Sequence, residues 1–200
     1  MSIGNLEAVL RAELARVSVN AYHRGLVGGT GGNISVRLGD DSMLITPSGV
    51  SLGDTTADSI LKVNINTLTW EPNRHYIPSK EIGMHAAIYQ AVPGVGAVCH
   101  CHPPYATAYA VCKMDIPLVT DAAFKQPPMP HVSFSPSGSQ DLAAKVGEAA
   151  RSLTNLRAIL LDEHGVITVG SDLTAAYNFM DVTEEIARIA FISSLIPAPL

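Results

Sequence analysis

The chain has 200 residues, of which 47% are hydrophobic, 16% charged and 6% aromatic, so it can bury one sizeable core. Thirteen basic and eighteen acidic residues give a net charge of −5, and the charges are scattered along the sequence. This balance argues against nucleic acid and anionic membranes as partners. Because no apolar run reaches the roughly 18 residues of a membrane span and no signal peptide is visible, a cytoplasmic location is expected.

Helices and strands interleave along the sequence. An amphipathic helix is predicted up to about Gly25, because apolar residues recur every three or four positions. A second helix is predicted to open in the segment 78–81 with Ser79 as its N-cap, and a long helix begins at Leu173. Strands are predicted at 33–38, 43–46, 61–66, 96–102, 158–161 and 166–169, with a short helix at 105–111. The pattern predicts a single α/β domain over residues 1–200.

The strongest chemical signal is His100-Cys101-His102, at the end of a predicted strand. Residues two apart on a strand point to the same face, about 7 Å apart at the backbone, so the two imidazoles can converge on one ion. His164, between two strand-like segments, is a reasonable third ligand, and three nitrogen ligands leave a coordination position open for substrate. The alternatives are hydrogen-bonded polar histidines beside the core, or thiolate ligands from the neighbouring cysteines.

Glu81 is the candidate general base. It lies in the first predicted turn of a helix, directly after Ser79 and Lys80, where helix-start amides and a cation can hold an anionic substrate. The alternative is a carboxylate that only complements the helix dipole. The other histidines are interpreted as structural, namely His23, His75, His85 and His131.

Two segments rich in glycine and small polar residues, 28–33 and 46–49, are candidates for phosphate binding. Their amides and hydroxyl groups can surround phosphate oxygens in a protein that lacks a basic patch. The first segment precedes a strand instead of following one, so the pattern for binding a nicotinamide dinucleotide is not met. The alternative is a tight connection that needs glycine for its backbone conformation.

These motifs occur in an order that resembles the class II aldolase/adducin family. The resemblance rests on the segments 29–35, 44–49, 78–81, 100–103 and 163–165. It implies a mixed α/β domain with a central, largely antiparallel sheet flanked by helices, and a homo-oligomer, usually a tetramer with active sites between subunits. It also implies that His100, His102 and His164 bind Zn²⁺ or another divalent transition metal, that Glu81 is the acid/base, and that Asn33, Ser48, Gly49 and Ser79 hold the substrate phosphate.

Two positions depart from the aldolases of this family. Lys80 stands where the fuculose-phosphate aldolases carry a second serine, and the segment 78–81 resembles the 3-oxo-tetronate 4-phosphate decarboxylases. Asp121 stands at the position of a tyrosine that acts at the neighbouring subunit's site in the aldolases. Lys80 is therefore expected to bind a carboxylate or phosphate of the substrate.

The resemblance implies a Zn²⁺-dependent carbon–carbon lyase, an aldolase that cleaves a small phosphorylated keto sugar through a metal-stabilised enediolate. The alternative is a decarboxylase that acts on a 3-oxo-sugar-acid phosphate with the same metal site. A sugar-phosphate dehydratase and a non-catalytic, adducin-like interaction module are the remaining candidates. The three histidines together with Glu81 argue against the interaction module.

Overall fold

The computed structural model describes residues 3–152 and 155–197. Its helices are α1 (Ile3–His23), α2 (Ile82–Ala91), α3 (Pro104–Val111), α4 (Asp121–Phe124), α5 (Gln140–Arg151) and α6 (Leu173–Ser194). Its strands are β1 (Asn33–Leu38), β2 (Ser42–Ile45), β3 (Leu61–Asn64), β4 (Ala97–Cys101), β5 (His131–Val132), β6 (Ala158–Leu161) and β7 (Gly165–Gly170). The strand and helix predictions are confirmed to within a few residues at most boundaries.

The strands form one seven-stranded sheet in the order β3-β2-β1-β4-β7-β6-β5. All neighbouring strands are antiparallel except β5 and β6, which are parallel. The expected α/β fold with a largely antiparallel sheet is therefore confirmed. In the centre of this sheet, Asn33 at the start of β1 lies opposite His100 of β4.

Buried apolar side chains cover both faces of the sheet. One cluster includes Leu14 of α1 and Met180 of α6, and the other includes Ile88 of α2 and Val146 of α5. Because side chains alternate along a strand, β4 contributes to both faces. Its two cysteines belong to the first cluster, so His100 points to the opposite face, as the sequence predicted.

The start of α2 differs from the prediction. The helix begins at Ile82 with Glu81 in the N-cap position, so Ser79 does not cap it, and that prediction was wrong. The backbone N–H of Ser79 donates to the carbonyl of Thr46, which holds the chain beside the end of β2. The Ser79 hydroxyl instead accepts from the N–H of Glu81. Glu81 therefore lies just before the helix, and its side chain is free to turn towards the sheet.

The region between α3 and β6 contains three elements that the sequence analysis did not identify. The segment 126–137 contains the two-residue strand β5. Helices α4 and α5 flank this segment, and α5 packs against α2. No helix in the described part of the chain has the length and apolar character that crossing a bilayer requires.

Candidate active site

Three imidazole rings meet at one end of the central strands of the sheet. His100 lies in β4, His102 directly follows that strand, and His164 lies in the turn between β6 and β7. One nitrogen of each ring lies within 4.8 Å of the others, and the Nε2 atoms of His100 and His102 are 3.2 Å apart. Nitrogen ligands at about 2.0–2.1 Å from a tetrahedral Zn²⁺ would be about 3.3 Å apart. The spacing of the three rings therefore fits a metal site.

Two glycines allow the chain to approach these rings. A Cβ atom at Gly165 would lie 2.6 Å from Cδ2 of His102 and 2.7 Å from the carbonyl oxygen of Cys101. Gly32 has a φ of +72°, and a Cβ atom there would lie 2.9 Å from the carbonyl oxygen of His100. Glycine is required at both positions by close backbone packing, and at Gly32 also by its conformation.

Hydrogen bonding orients the most buried imidazole. Nδ1 of His100 lies 3.0 Å from the carbonyl oxygen of Val166, which can only accept, so Nδ1 carries the proton. The lone pair of Nε2 then faces the other two rings, as metal binding requires. Nδ1 of His164 is buried and has no hydrogen-bond partner among the described residues, which is uncommon for a purely structural histidine. The donor set therefore fits a divalent transition metal better than a structural histidine cluster.

The imidazoles are neutral near pH 7. Burial lowers the pKa of His100 to about 3 and lowers the pKa values of His102 and His164 below the ordinary value. A neutral imidazole keeps the lone pair that a metal ion needs.

The carboxylate of Glu81 lies against this cluster. Its Oε2 is 3.3 Å from Nε2 of His100, and its Oε1 is 3.5 Å from Nε2 of His164. Oε2 accepts a hydrogen bond from Nδ2 of Asn33 and Oε1 accepts one from the Ser137 hydroxyl, each at 2.8 Å. Burial acts to raise the pKa of Glu81, but the charge that His100 carries once acid protonates it, together with these two hydrogen bonds, outweighs burial, so the pKa stays below its ordinary value. Glu81 is therefore ionised at neutral pH and can accept a proton.

A buried chain of hydrogen bonds lies behind Asn33. Its Oδ1 is 2.6 Å from Nε2 of His85, whose Nδ1 is 2.7 Å from the Ser35 hydroxyl. That hydroxyl is 2.8 Å from the hydroxyl of Tyr89. Since the amide of Asn33 donates to the Glu81 carboxylate, its Oδ1 must accept from Nε2–H of His85. Nδ1 of the neutral His85 ring then accepts from the Ser35 hydroxyl, which in turn accepts from the Tyr89 hydroxyl. His85 thus supports the site from the core, consistent with its interpretation as structural.

A polar cavity of about 350 Å³ opens beside the cluster. It is lined by eight of the nine site residues singled out from the sequence: Asn33, Ser48, Gly49, Ser79, Lys80, Glu81, His102 and His164. The ninth, His100, is fully buried beside it. The structure therefore brings the predicted site residues together around one cavity.

Lys80 differs from the other lysines of the chain. The other four each lie within salt-bridge distance of a carboxylate, the pairs being Lys62–Glu7, Lys113–Glu163, Lys125–Asp121 and Lys145–Asp141. Lys80 forms no such pair with any described residue, and it lines the cavity. Its charge is therefore available to an anionic ligand.

Of Ser137 and Asp121, only Ser137 lines the cavity. Ser137 lines the cavity and was not singled out from the sequence, because its only local signal is a loop rich in proline and serine. Asp121 begins α4, is exposed, and pairs with Lys125 outside the cavity lining.

Acid should destabilise the metal-free protein. Burial lowers the pKa of His85 to about 4 and that of His100 to about 3, whereas an unfolded histidine titrates near 6.5. Because the unfolded chain takes up these protons first, the free energy of unfolding falls as the pH drops from about 6.5 towards 4, by up to roughly 1.4 kcal/mol per pH unit for each histidine. Urea denaturation of chelator-treated protein at pH 7 and pH 5 measures the difference. Equal stability at both values would contradict it.

The chain belongs to the class II aldolase and adducin family, because its residues 12–191 match the family described as Class II Aldolase and Adducin N-terminal domain. It is 34% identical over 181 residues to an L-fuculose phosphate aldolase of Methanococcus maripaludis, covering 90% of this chain and 95% of that protein. It is also 34% identical over 179 residues to a 3-oxo-tetronate 4-phosphate decarboxylase of Haemophilus influenzae, covering 85% of this chain and 81% of that protein.

The same relationship is found among solved structures. The crystal structure of L-fuculose-1-phosphate aldolase from Thermus thermophilus superposes with a TM-score of 0.79 at 29% identity, covering 95% of this chain and 98% of that one. The family resemblance drawn from the five sequence segments is thereby confirmed. Aldolases and decarboxylases both break carbon–carbon bonds, so the relatives assign this chain to the lyases.

Proposed function

We propose that the chain is a metal-dependent aldolase that cleaves a small phosphorylated keto sugar. The observation that carries the proposal is the convergence of three imidazole nitrogens within 4.8 Å, beside an ionised carboxylate in a polar cavity. His100, His102 and His164 would hold the ion, for which we propose Zn²⁺ because all three donors are nitrogens. When bound, the ion supplies a Lewis acid that polarises the substrate carbonyl and stabilises negative charge as the bond breaks.

Glu81 is proposed to move the proton. In the retro-aldol direction, the hydroxyl group on the carbon that becomes the aldehyde loses a proton, and the carbon left behind gains one. A carboxylate that is ionised before the reaction can accept the first proton and return one to the product. The hydrogen bonds from Asn33 and Ser137 fix its two oxygens while it does so.

The substrate phosphate is proposed to bind the small polar residues that line the cavity. The Ser48 and Ser79 hydroxyls, the backbone of Gly49 and the second amide hydrogen of Asn33 offer neutral hydrogen-bond donors there. Gly49 has a φ of +72°, a conformation in which backbone N–H groups of a turn can face an anion. Neutral donors of this kind hold phosphate without a cluster of basic residues.

Decarboxylation of a 3-oxo-sugar-acid phosphate is the second candidate, and Lys80 favours it. This substrate carries a carboxylate in addition to the phosphate, and Lys80 offers a cation to the cavity that no described carboxylate neutralises. The carbon that loses CO₂ must then gain a proton, which Glu81 would take from a water molecule and pass on to that carbon. Both reactions leave the same charge to be stabilised, so one site serves either substrate.

Assembly and location are also proposed. We propose a homo-oligomer, with a tetramer favoured by the family resemblance. Exposed apolar side chains on α3 and α6 support it, among them Val111, Phe191 and Ile192, because apolar patches of this kind commonly mark protein interfaces. The three cysteines are free thiols, which supports a reducing compartment such as the cytoplasm.

Product analysis tests the proposed reaction. The zinc-loaded protein is incubated with a panel of keto-sugar phosphates and 3-oxo-sugar-acid phosphates, and the products are followed by NMR together with CO₂ release. An aldehyde plus dihydroxyacetone phosphate would establish the aldolase. CO₂ with a ketose phosphate would establish the decarboxylase and assign Lys80 to the carboxylate. Turnover without cleavage of a carbon–carbon bond would contradict both.

A further inference from the structure

The turn formed by residues 135–139 brings a serine onto the proposed acid/base. The Ser137 hydroxyl donates to Oε1 of Glu81 at 2.8 Å, although Ser137 itself lies on an exposed loop far away in the sequence. We propose that Ser137 is a positioning residue, which fixes the Glu81 carboxylate and directs the transferred proton to Oε1. This inference rests on the proposed function, in which Glu81 moves the proton.

The turn is anchored to the start of α5. The Ser139 hydroxyl accepts from the N–H of Leu142, and the N–H of Ser139 donates to the carbonyl of Pro136 at 3.0 Å. The Ser135 hydroxyl donates to Oδ2 of Asp141 at 2.6 Å. Both ends of the turn are therefore tied to α5, which in turn packs against α2. The position of Ser137 is set by this packing.

The turn also lies directly on the backbone that carries Glu81. Gly138 has a φ of +78°, and a Cβ atom there would lie 3.0 Å from the carbonyl oxygen of Lys80. Only glycine combines this conformation with such a close approach at no steric cost. The contact keeps the Ser137 hydroxyl within reach of the Glu81 carboxylate.

The two hydrogen bonds on Glu81 are chemically different. Asn33 presents an N–H to Oε2 and can only donate, because its Oδ1 already accepts from His85. A proton on Oε2 would therefore weaken that bond, because the O–H oxygen of a carboxylic acid is a poor acceptor. A serine hydroxyl can donate to a carboxylate and, after rotating, accept from a carboxylic acid. When Glu81 takes a proton from the substrate on Oε1, the bond from Asn33 is kept and the bond to Ser137 can reverse its direction.

Kinetics of serine variants provide the first test. Ser137→Ala should lower kcat by about tenfold to a hundredfold, the effect of a hydrogen bond to a charged group, with KM and metal content nearly unchanged. Ser137→Thr keeps the hydroxyl and should restore most of kcat. Ser133→Ala, an exposed serine of the same loop that does not line the cavity, is the matched control. In a Glu81→Gln background, Ser137→Ala should have no further effect, because the two residues act as one unit.

Crystal structures of the wild type and of Ser137→Ala provide a readout that needs no turnover. The Glu81 carboxylate should rotate or become less ordered in the variant. An undisturbed carboxylate, or kinetic effects of Ser137→Ala and Glu81→Gln that simply multiply, would overturn the proposal. A wild-type protein without lyase activity would contradict the proposed function instead. The position of the Glu81 carboxylate in the two crystal structures would still show whether Ser137 fixes it.

Discussion

Replacing His100 with alanine should remove the metal ion and the activity together. His100 is fully buried, its Nδ1–H donates to the carbonyl oxygen of Val166, and its Nε2 lies 3.2 Å from Nε2 of His102. Two remaining nitrogens hold a divalent ion far more weakly than three. Without Lewis-acid stabilisation worth several kcal/mol, turnover should fall by at least about 10³-fold. Metal analysis after gel filtration and steady-state kinetics measure the two effects.

The control for this variant is His75→Ala, since His75 is exposed and lies outside the cavity lining. It should keep both metal and activity. Thermal unfolding with and without added Zn²⁺ separates loss of binding from loss of fold, because a bound ion raises the melting temperature. Stoichiometric zinc in the folded His100→Ala protein would refute the role of His100 as a ligand.

Replacing Glu81 with glutamine should leave the metal bound while turnover falls by roughly 10²–10⁴-fold, the usual cost of losing a general acid/base. The substitution fits the site. The amide oxygen of glutamine can accept from Asn33, and its NH₂ group can donate to the Ser137 hydroxyl, so neither hydrogen-bond partner is left unpaired. The substitution removes the negative charge and, with it, the capacity to take up a proton.

Steady-state kinetics and metal content test this prediction together. Glu71→Gln, at an exposed position, is the matched control and should behave as the wild type does. Near-normal turnover of Glu81→Gln would show that Glu81 does not transfer the proton. Loss of metal in this variant would show that the carboxylate helps to hold the ion, and the fall in turnover could then not be assigned to proton transfer.

The sheet and the grouping of the site residues could be predicted from the sequence, because their signals are local. Alternation along β4 places His100 on the face opposite Cys99 and Cys101, and that geometry is already contained in strand periodicity. The place of His164 between two strand-like segments made it the third candidate ligand, and the family resemblance implied the same role. The structure brings these residues together as expected. Their individual roles, and the extent of a single domain over residues 1–200, stay predictions.

Other features depend on contacts between distant segments. The bond from Ser79 to Thr46 moves the start of α2 to Ile82, and no property of the 78–81 segment alone indicates this. Ser137 reaches Glu81 only because α5 packs on α2. The chain of bonds from Asn33 to Tyr89 likewise joins a strand to a helix about 50 residues away. Tertiary contacts of this kind leave no periodic pattern in the sequence.

Three histidines are proposed to hold a metal ion beside the Glu81 carboxylate. Anomalous diffraction at the zinc edge, from crystals of the zinc-loaded protein, tests this proposal most directly. A single strong peak is expected at about 2.0–2.1 Å from one ring nitrogen each of His100, His102 and His164, beside the Glu81 carboxylate. A cluster without a peak, or zinc bound only at other residues, would contradict it.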